Sequence, residues 1–151
     1  MISFTIPGDP KPQQRPRFFR RGNFVGTYDP KESTDFKSKA AFFAKQSGIT
    51  LLEGPISLEI DVFVKRPKNR CGKKFPPLRI PCSSRPDCDN FAKGVMDALN
   101  GIAWHDDGQI QDLRVRKFYH EIGGSPRTEV SIFLPSEIVT KTQQFVHKKD
   151  T

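Results

Sequence analysis

RPDCDNFAKGVMDALNGIAWHDDGQI, residues 85–110, is the stretch on which the reading of this chain turns. Phe91, Val95, Ala98 and Leu99 recur at helical spacing, which predicts a helix from about Asp89 to Leu99, stopped by Asn100-Gly101. The polar side of that helix carries Asp89, Lys93 and Asp97 at i, i+4 and i+8. They form one slowly drifting stripe that begins at an N-terminus whose dipole favours anionic groups. Asp87 lies just outside the start, and Asp106-Asp107-Gly108 follows the helix. Between Pro86 and Asp112 six acids stand against a single lysine, in a chain whose net charge is +8. The 21 residues from Lys65 to Arg85, by contrast, hold eight basic side chains and no acid. A nest of negative charge directly after a positive run suits a cation site beside a surface for a polyanion.

Flanking segments supply a sheet. Ile56, Leu58, Ile60, Val62 and Val64 alternate with Ser57, Glu59, Asp61 and Phe63, the most regular strand pattern in the chain. Leu113, Val115 and Tyr119 alternate after the acidic stretch. A Gly-Gly-Ser-Pro turn at 123–126 then introduces a last strand with Val130, Ile132 and Leu134. At the other end Ile2, Phe4 and Ile6 alternate with Ser3 and Thr5 up to Pro7-Gly8, and Phe36, Ala40, Phe43 and Ala44 predict a first helix between Asp29-Pro30 and Gly48. Residues 8–30 read as a long loop, with Phe18, Phe19 and Phe24 interleaved among arginines and some of them expected as core anchors. Residues 65–84, with four prolines and no periodicity, read as a surface loop that only an anion would order. From Pro135 a short amphipathic helix on Ile138, Thr142 and Phe145 is expected to fray. At 151 residues the chain can bury one core. The expected class is therefore α/β (α+β), a small mixed sheet with two main helices, in one domain over 1–135 with a polar tail at 136–151.

No run approaches the roughly 18 apolar residues of a membrane span, and Met1 leads straight into a strand pattern, so a cytoplasmic protein without a membrane partner is expected. Cys71, Cys82 and Cys88 are an odd set without CxxC spacing, which fits reduced thiols; joined to His105 they match no usual zinc pattern. An EF-hand beginning at Asp87 fails where Phe91, Ala92 and Ala98 replace the required oxygen ligand, Gly and Glu. Structural readings of the acids stay open: Asp87 or Asp89 as a helix cap, Asp107-Gly108 as a hairpin turn. Lys11, Arg15, Arg17, Arg20 and Arg21 form an acid-free cluster and read as phosphate contacts, as do Lys73, Lys74 and Arg85 in the second basic run.

The run Arg85-Pro86-Asp87-Cys88-Asp89-Asn90, Lys93, Asp97-Ala98-Leu99-Asn100-Gly101, Trp104, Asp106-Asp107, Gln109-Ile110 resembles the signature of the RusA-type Holliday junction resolvases of bacteriophages and bacteria. The likeness extends more loosely to Arg15–Arg17, Lys117 and the closing strand. It implies a RusA-like homodimeric fold, with Asp87, Asp89 and Asp107 as catalytic metal ligands, Asp106 as a supporting carboxylate, Lys93 as the catalytic lysine and Lys117 among the DNA contacts. The insert at 66–84 departs from the family pattern. The residues suit the chemistry independently: Mg²⁺ (or Mn²⁺) held by carboxylates can activate water and neutralise a phosphoryl group. The expected function is a Mg²⁺-dependent endonuclease that resolves four-way DNA junctions by paired cuts in recombination and repair, within the bacterial cytoplasm. A nuclease for other branched DNA and a non-catalytic basic DNA-binding protein are the alternatives.

Overall fold

The structure is a computed structural model and describes residues 1–134. The central strand β4 (Ile56–Val64) has the expected alternation: Ile56, Leu58, Ile60 and Val62 are fully buried. Around it a five-stranded mixed sheet is ordered β1-β7-β4-β6-β5. β1 (Ile2–Pro7) is antiparallel to β7 (Arg127–Phe133), which is antiparallel to β4. β6 (Ile110–Tyr119) is parallel to β4, and the two-residue β5 (Ile80–Pro81) closes the edge antiparallel to β6.

Two helices complete the core. In α1 (Lys31–Gln46) Phe36, Ala40 and Ala44 are buried, and Gly48, at φ +81°, takes the left-handed turn that ends it. Helix α2 (Cys88–Leu99) buries Phe91, Ala92, Gly94, Val95, Ala98 and Leu99. One continuous cluster joins these residues to Ile6, Leu58, Ile60, Val62, Trp104, Val130 and Ile132. Since parallel strands need a crossover, α2 lies in the connection between β4 and β6. The DD turn therefore launches a parallel strand and does not form a hairpin: Asp107–Gln109 is a single 3-10 turn.

Two segments read as loops are ordered. β2 (Arg17–Arg21) and β3 (Phe24–Tyr28) form an antiparallel hairpin separate from the main sheet. Its phenylalanines do not anchor the core: Phe18 is 77% exposed and Phe24 63%. Residues 65–81 are organised from within by Arg66, only 5% exposed. Its guanidinium donates to the carbonyls of Arg70 (2.8 Å), Pro76 (2.7 Å) and Leu78 (2.8 Å), so no anion is required to shape this segment. The tail helix expected on Ile138, Thr142 and Phe145 lies outside the described residues.

Candidate active site

At the start of α2, Asp87 occupies the N-cap position, yet its side chain makes no capping hydrogen bond. This separates it from the usual N-cap, where the carboxylate accepts from a backbone amide in the first turn. Asp89 in the first turn and Lys93 one turn on are exposed, as is Asp97, so the stripe expected from the sequence faces solvent. Among the described residues the side chains of Asp87, Asp89 and Lys93 have no hydrogen-bond or ion-pair partner. All three are thus unpaired, solvent-facing side chains at the start of the helix.

The strand register explains why this helix begins where it does. Val62 pairs with Lys117, which sets Lys117 on the helix side of the sheet. Its ammonium donates to the carbonyls of Ser84 and, at 2.8 Å, Pro86, holding the turn that precedes Asp87. Tyr119, two residues on and on the same face, hydrogen-bonds Ser84 through its hydroxyl at 2.9 Å. Lys117 is thus engaged as a positioning residue for the α2 entry.

Asp107 is placed by a different device. Trp104, fully buried, donates from Nε1 to Asp107 Oδ1 at 2.8 Å, leaving the second carboxylate oxygen unbonded. Asp106 accepts from the Gly108 amide at 2.8 Å and forms a capping box with Gln109. Gln109 fastens the turn: its Oε1 accepts from the His105 and Asp106 amides, while its Nε2 donates to the carbonyls of Leu52 and Gly54. Of the two neighbouring acids, then, Asp106 shapes the turn and Asp107 is presented by it. Neither Trp104 nor Gln109 was assigned a role from the sequence; a Trp three residues before an acid was the available signal.

These two groups of acids stand at opposite ends of α2. A helix of 12 residues is about 18 Å long at 1.5 Å per residue. The sheet gives the same answer, because Pro86 is tied to Lys117 while Asp107 adjoins Ile110, seven residues back along β6, or about 23 Å at 3.3 Å per residue. Consistently, no three His, Cys, Asp or Glu side chains among the described residues come together to hold a metal. That holds equally for a zinc site on Cys71, Cys82, Cys88 and His105; all three thiols are free, and His105 instead meets Glu53 at 2.7 Å.

The basic N-terminal loop lies against α2 through its backbone at Lys11–Gln13. The Gln13 amide donates to the Asn90 carbonyl at 3.0 Å, and a Cβ on Gly94 would stand 3.1 Å from the Lys11 carbonyl, so glycine allows the loop to lie directly on the helix. Lys11 reaches Glu32 at 3.9 Å; Arg15, Arg17, Arg20, Arg21, Lys73, Lys74 and Arg85 are exposed. On the sheet face away from the helices, Asp61 takes a bidentate bond from Arg116 (2.7 and 2.6 Å), which raises the Arg116 pKa. No helix of the described residues is long and apolar enough to cross a membrane.

A small mixed α/β domain, basic outside and carrying unneutralised carboxylates beside a lysine, has the equipment of a phosphodiester-cleaving nuclease. Residues 7–133 match the model of the family described as Endodeoxyribonuclease RusA, and the chain belongs to that family; it is an endodeoxyribonuclease by kind. The mixed five-stranded sheet with two helices agrees with that fold. A curated relative, the uncharacterized protein YqaN of Bacillus subtilis (strain 168), is 39% identical over 137 residues, covering 87% of this chain and 94% of its own length.

Proposed function

We propose that the protein is a Mg²⁺-dependent, structure-selective endonuclease that resolves four-way DNA junctions in recombination and repair by paired, symmetric phosphodiester hydrolysis, working as a homodimer. The observation that carries this reading is the N-cap aspartate that does not cap: Asp87, with Asp89 and Lys93, forms a charged group that no structural need accounts for. Carboxylate oxygens fit Mg²⁺, which is commonly bound through one or two carboxylates together with waters and substrate phosphate, so a cage of three protein ligands is not required. Mn²⁺, also suited to oxygen ligands, would substitute. When bound, the ion would activate water and neutralise charge on the scissile phosphate.

The chain's own residues would do the rest. Lys93 donates to a phosphoryl or leaving oxygen as negative charge develops there. Arg15, Arg17 and Arg85 take flanking phosphates, joined by Lys11, Arg20, Arg21, Lys73 and Lys74 along the duplex arms. Trp104 holds Asp107 in one orientation, and Asp106 supports the turn. Because about 18 Å of helix separates Asp107 from Asp87 within one chain, Asp107 joins the site from a second copy in the dimer. Two such composite sites related by a twofold axis would deliver the two incisions that a junction needs.

A labelled four-way junction incubated with and without Mg²⁺ tests the reaction; binding without any metal-dependent cleavage would return the protein to the non-catalytic DNA-binding class. Mixing inactive Asp87→Asn with inactive Asp107→Asn tests the shared site. Subunit exchange should create one intact site per mixed dimer and restore single-strand nicking. If both variants are inactive and their mixture stays so after verified exchange, the shared site is wrong.

A further inference from the structure

We infer that the β2–β3 hairpin is an aromatic probe that stacks on base faces exposed where stacking is interrupted at the branch point of the DNA, an inference that rests on the junction-directed function proposed above. Its strands pack chiefly on each other, and the turn between them is built on Gly22, whose φ of +62° at the first central position suits a tight type II′ hairpin. The pairing Arg17↔Tyr28, Phe19↔Gly26, Arg21↔Phe24 puts three aromatic rings and two arginines on one face. There Phe19 lies over Gly26, where a Cβ would stand 2.5 Å from its ring, and it meets Phe24 at 6.1 Å and Tyr28 at 6.2 Å between centroids. The opposite face presents Phe18 beside Arg20, with Val25 across from Arg20. Phe19 braces the hairpin from within, but the wide exposure of Phe18 and Phe24, on opposite faces and outside the core, is not explained by folding.

Charge identifies the occupant. From Pro10 to Tyr28 there is no acid, while Arg15, Arg17, Arg20 and Arg21 are exposed, so the surface is complementary to a polyanion and not to an apolar protein face alone. Rings alternating with arginines suit single-stranded nucleic acid, where bases stack on the rings and guanidinium groups take the phosphates. Position agrees with this. Gln13 is bonded to Asn90 at the start of α2, and Arg17 follows four residues later, so the base of the hairpin lies within about 14 Å of Asn90. Five-residue strands extend the tip by roughly another 17 Å, so the hairpin projects well beyond the α2 entry.

The test uses the full-length protein without divalent metal, on a four-way junction carrying 2-aminopurine at the branch point and on a linear duplex of the same sequence. Wild type should change the 2-aminopurine fluorescence on binding. Phe18→Ala and Phe24→Ala should each weaken junction binding on the order of tenfold and reduce that change. Duplex binding, which rests on the arginines, should be retained, and Phe18→Tyr should keep both signals. The exposed positions keep the core intact, and circular dichroism checks this. Junction binding and fluorescence unchanged in the double alanine variant would overturn the stacking role alone. A wild type that binds no branched DNA better than duplex would overturn the proposed function and this inference with it. A double variant that loses self-association together with junction binding would identify the rings as a contact between copies, and would overturn the inference too.

Discussion

Asp107 separates binding from chemistry more cleanly than any other position. Asp107→Asn preserves the shape of the turn but removes a full charge from where, under the proposed function, a hard cation would be held by charge. Junction affinity measured by gel shift without metal should be unchanged or slightly improved, since the surface is basic, while single-turnover cleavage should fall by about two orders of magnitude or more; roughly 1.4 kcal/mol corresponds to tenfold. Asn is accepted in turns nearly as well as Asp, so a purely structural Asp107 predicts full activity. Trp104→Phe asks a finer question at the same carboxylate, because it deletes the 2.8 Å bond from the indole. A hydrogen bond to a charged group contributes about 1.5–3 kcal/mol, so cleavage should drop about tenfold or more beyond any change in melting temperature. Equal rates for Trp104→Phe and wild type would show that this hydrogen bond does not orient Asp107.

Among the elements, the two basic segments differ in what their charges do. Replacing Arg15 and Arg17, or Lys73 and Lys74, should weaken binding to all DNA and reduce the slope of log affinity against log salt by about 0.9 for each phosphate no longer neutralised. A wild-type slope in those variants would remove the loops from the interface. Arg66 belongs to the same run by sequence but not by function: Arg66→Met would strip donors from the carbonyls of Arg70, Pro76 and Leu78. A urea titration should register a loss on the order of 2–3 kcal/mol, with tryptic cleavage appearing between Lys68 and Arg79. That distinction could not be drawn from composition, which counts a buried arginine and an exposed one alike. Where periodicity was strict, as in β4, α1 and α2, the sequence reading was close, because one face is buried and the other is not. The β2–β3 hairpin escaped it because neither of its faces is buried. Two residues on the polar side of the β4 alternation are buried all the same, Ser57 at 5% exposed and Phe63 at 1%. Phe118 stacks on Phe63 at 5.5 Å, and the guanidinium of Arg127 lies 3.9 Å from the Phe63 centroid. For the site, the acids were legible as types and spacings, whereas their separation along α2 depends on the direction in which the crossover runs, which no local pattern records.

For the whole molecule, the proposed shared site requires self-association, and sedimentation should find a dimer; a monomer that still cuts both strands would refute it. Acid should unfold the protein in part through Glu121. Its carboxylate is held below the ordinary range, first by its own backbone amide, against the cost of burial, and then by Arg127 at 3.1 Å. A group whose folded pKa is depressed stabilises the fold above its unfolded pKa, about 4.3, and that stabilisation is lost as pH falls through the folded value. Melting temperature should therefore fall below about pH 4, and Glu121→Gln should show a shallower decline over the same interval. Identical profiles for the two proteins would assign the acid sensitivity elsewhere.

The length of α2 has a consequence for dosage. If a single chain can touch DNA through its arginines but holds only half of the cutting apparatus at either end of one helix, activity depends on encounters between chains. At concentrations below the dimer dissociation constant, cleavage should then rise with the square of the protein concentration. A cell making a few copies would carry a harmless DNA binder. The same gene expressed in a burst would cross a threshold, and the genome would be exposed to the nuclease only while the protein is abundant.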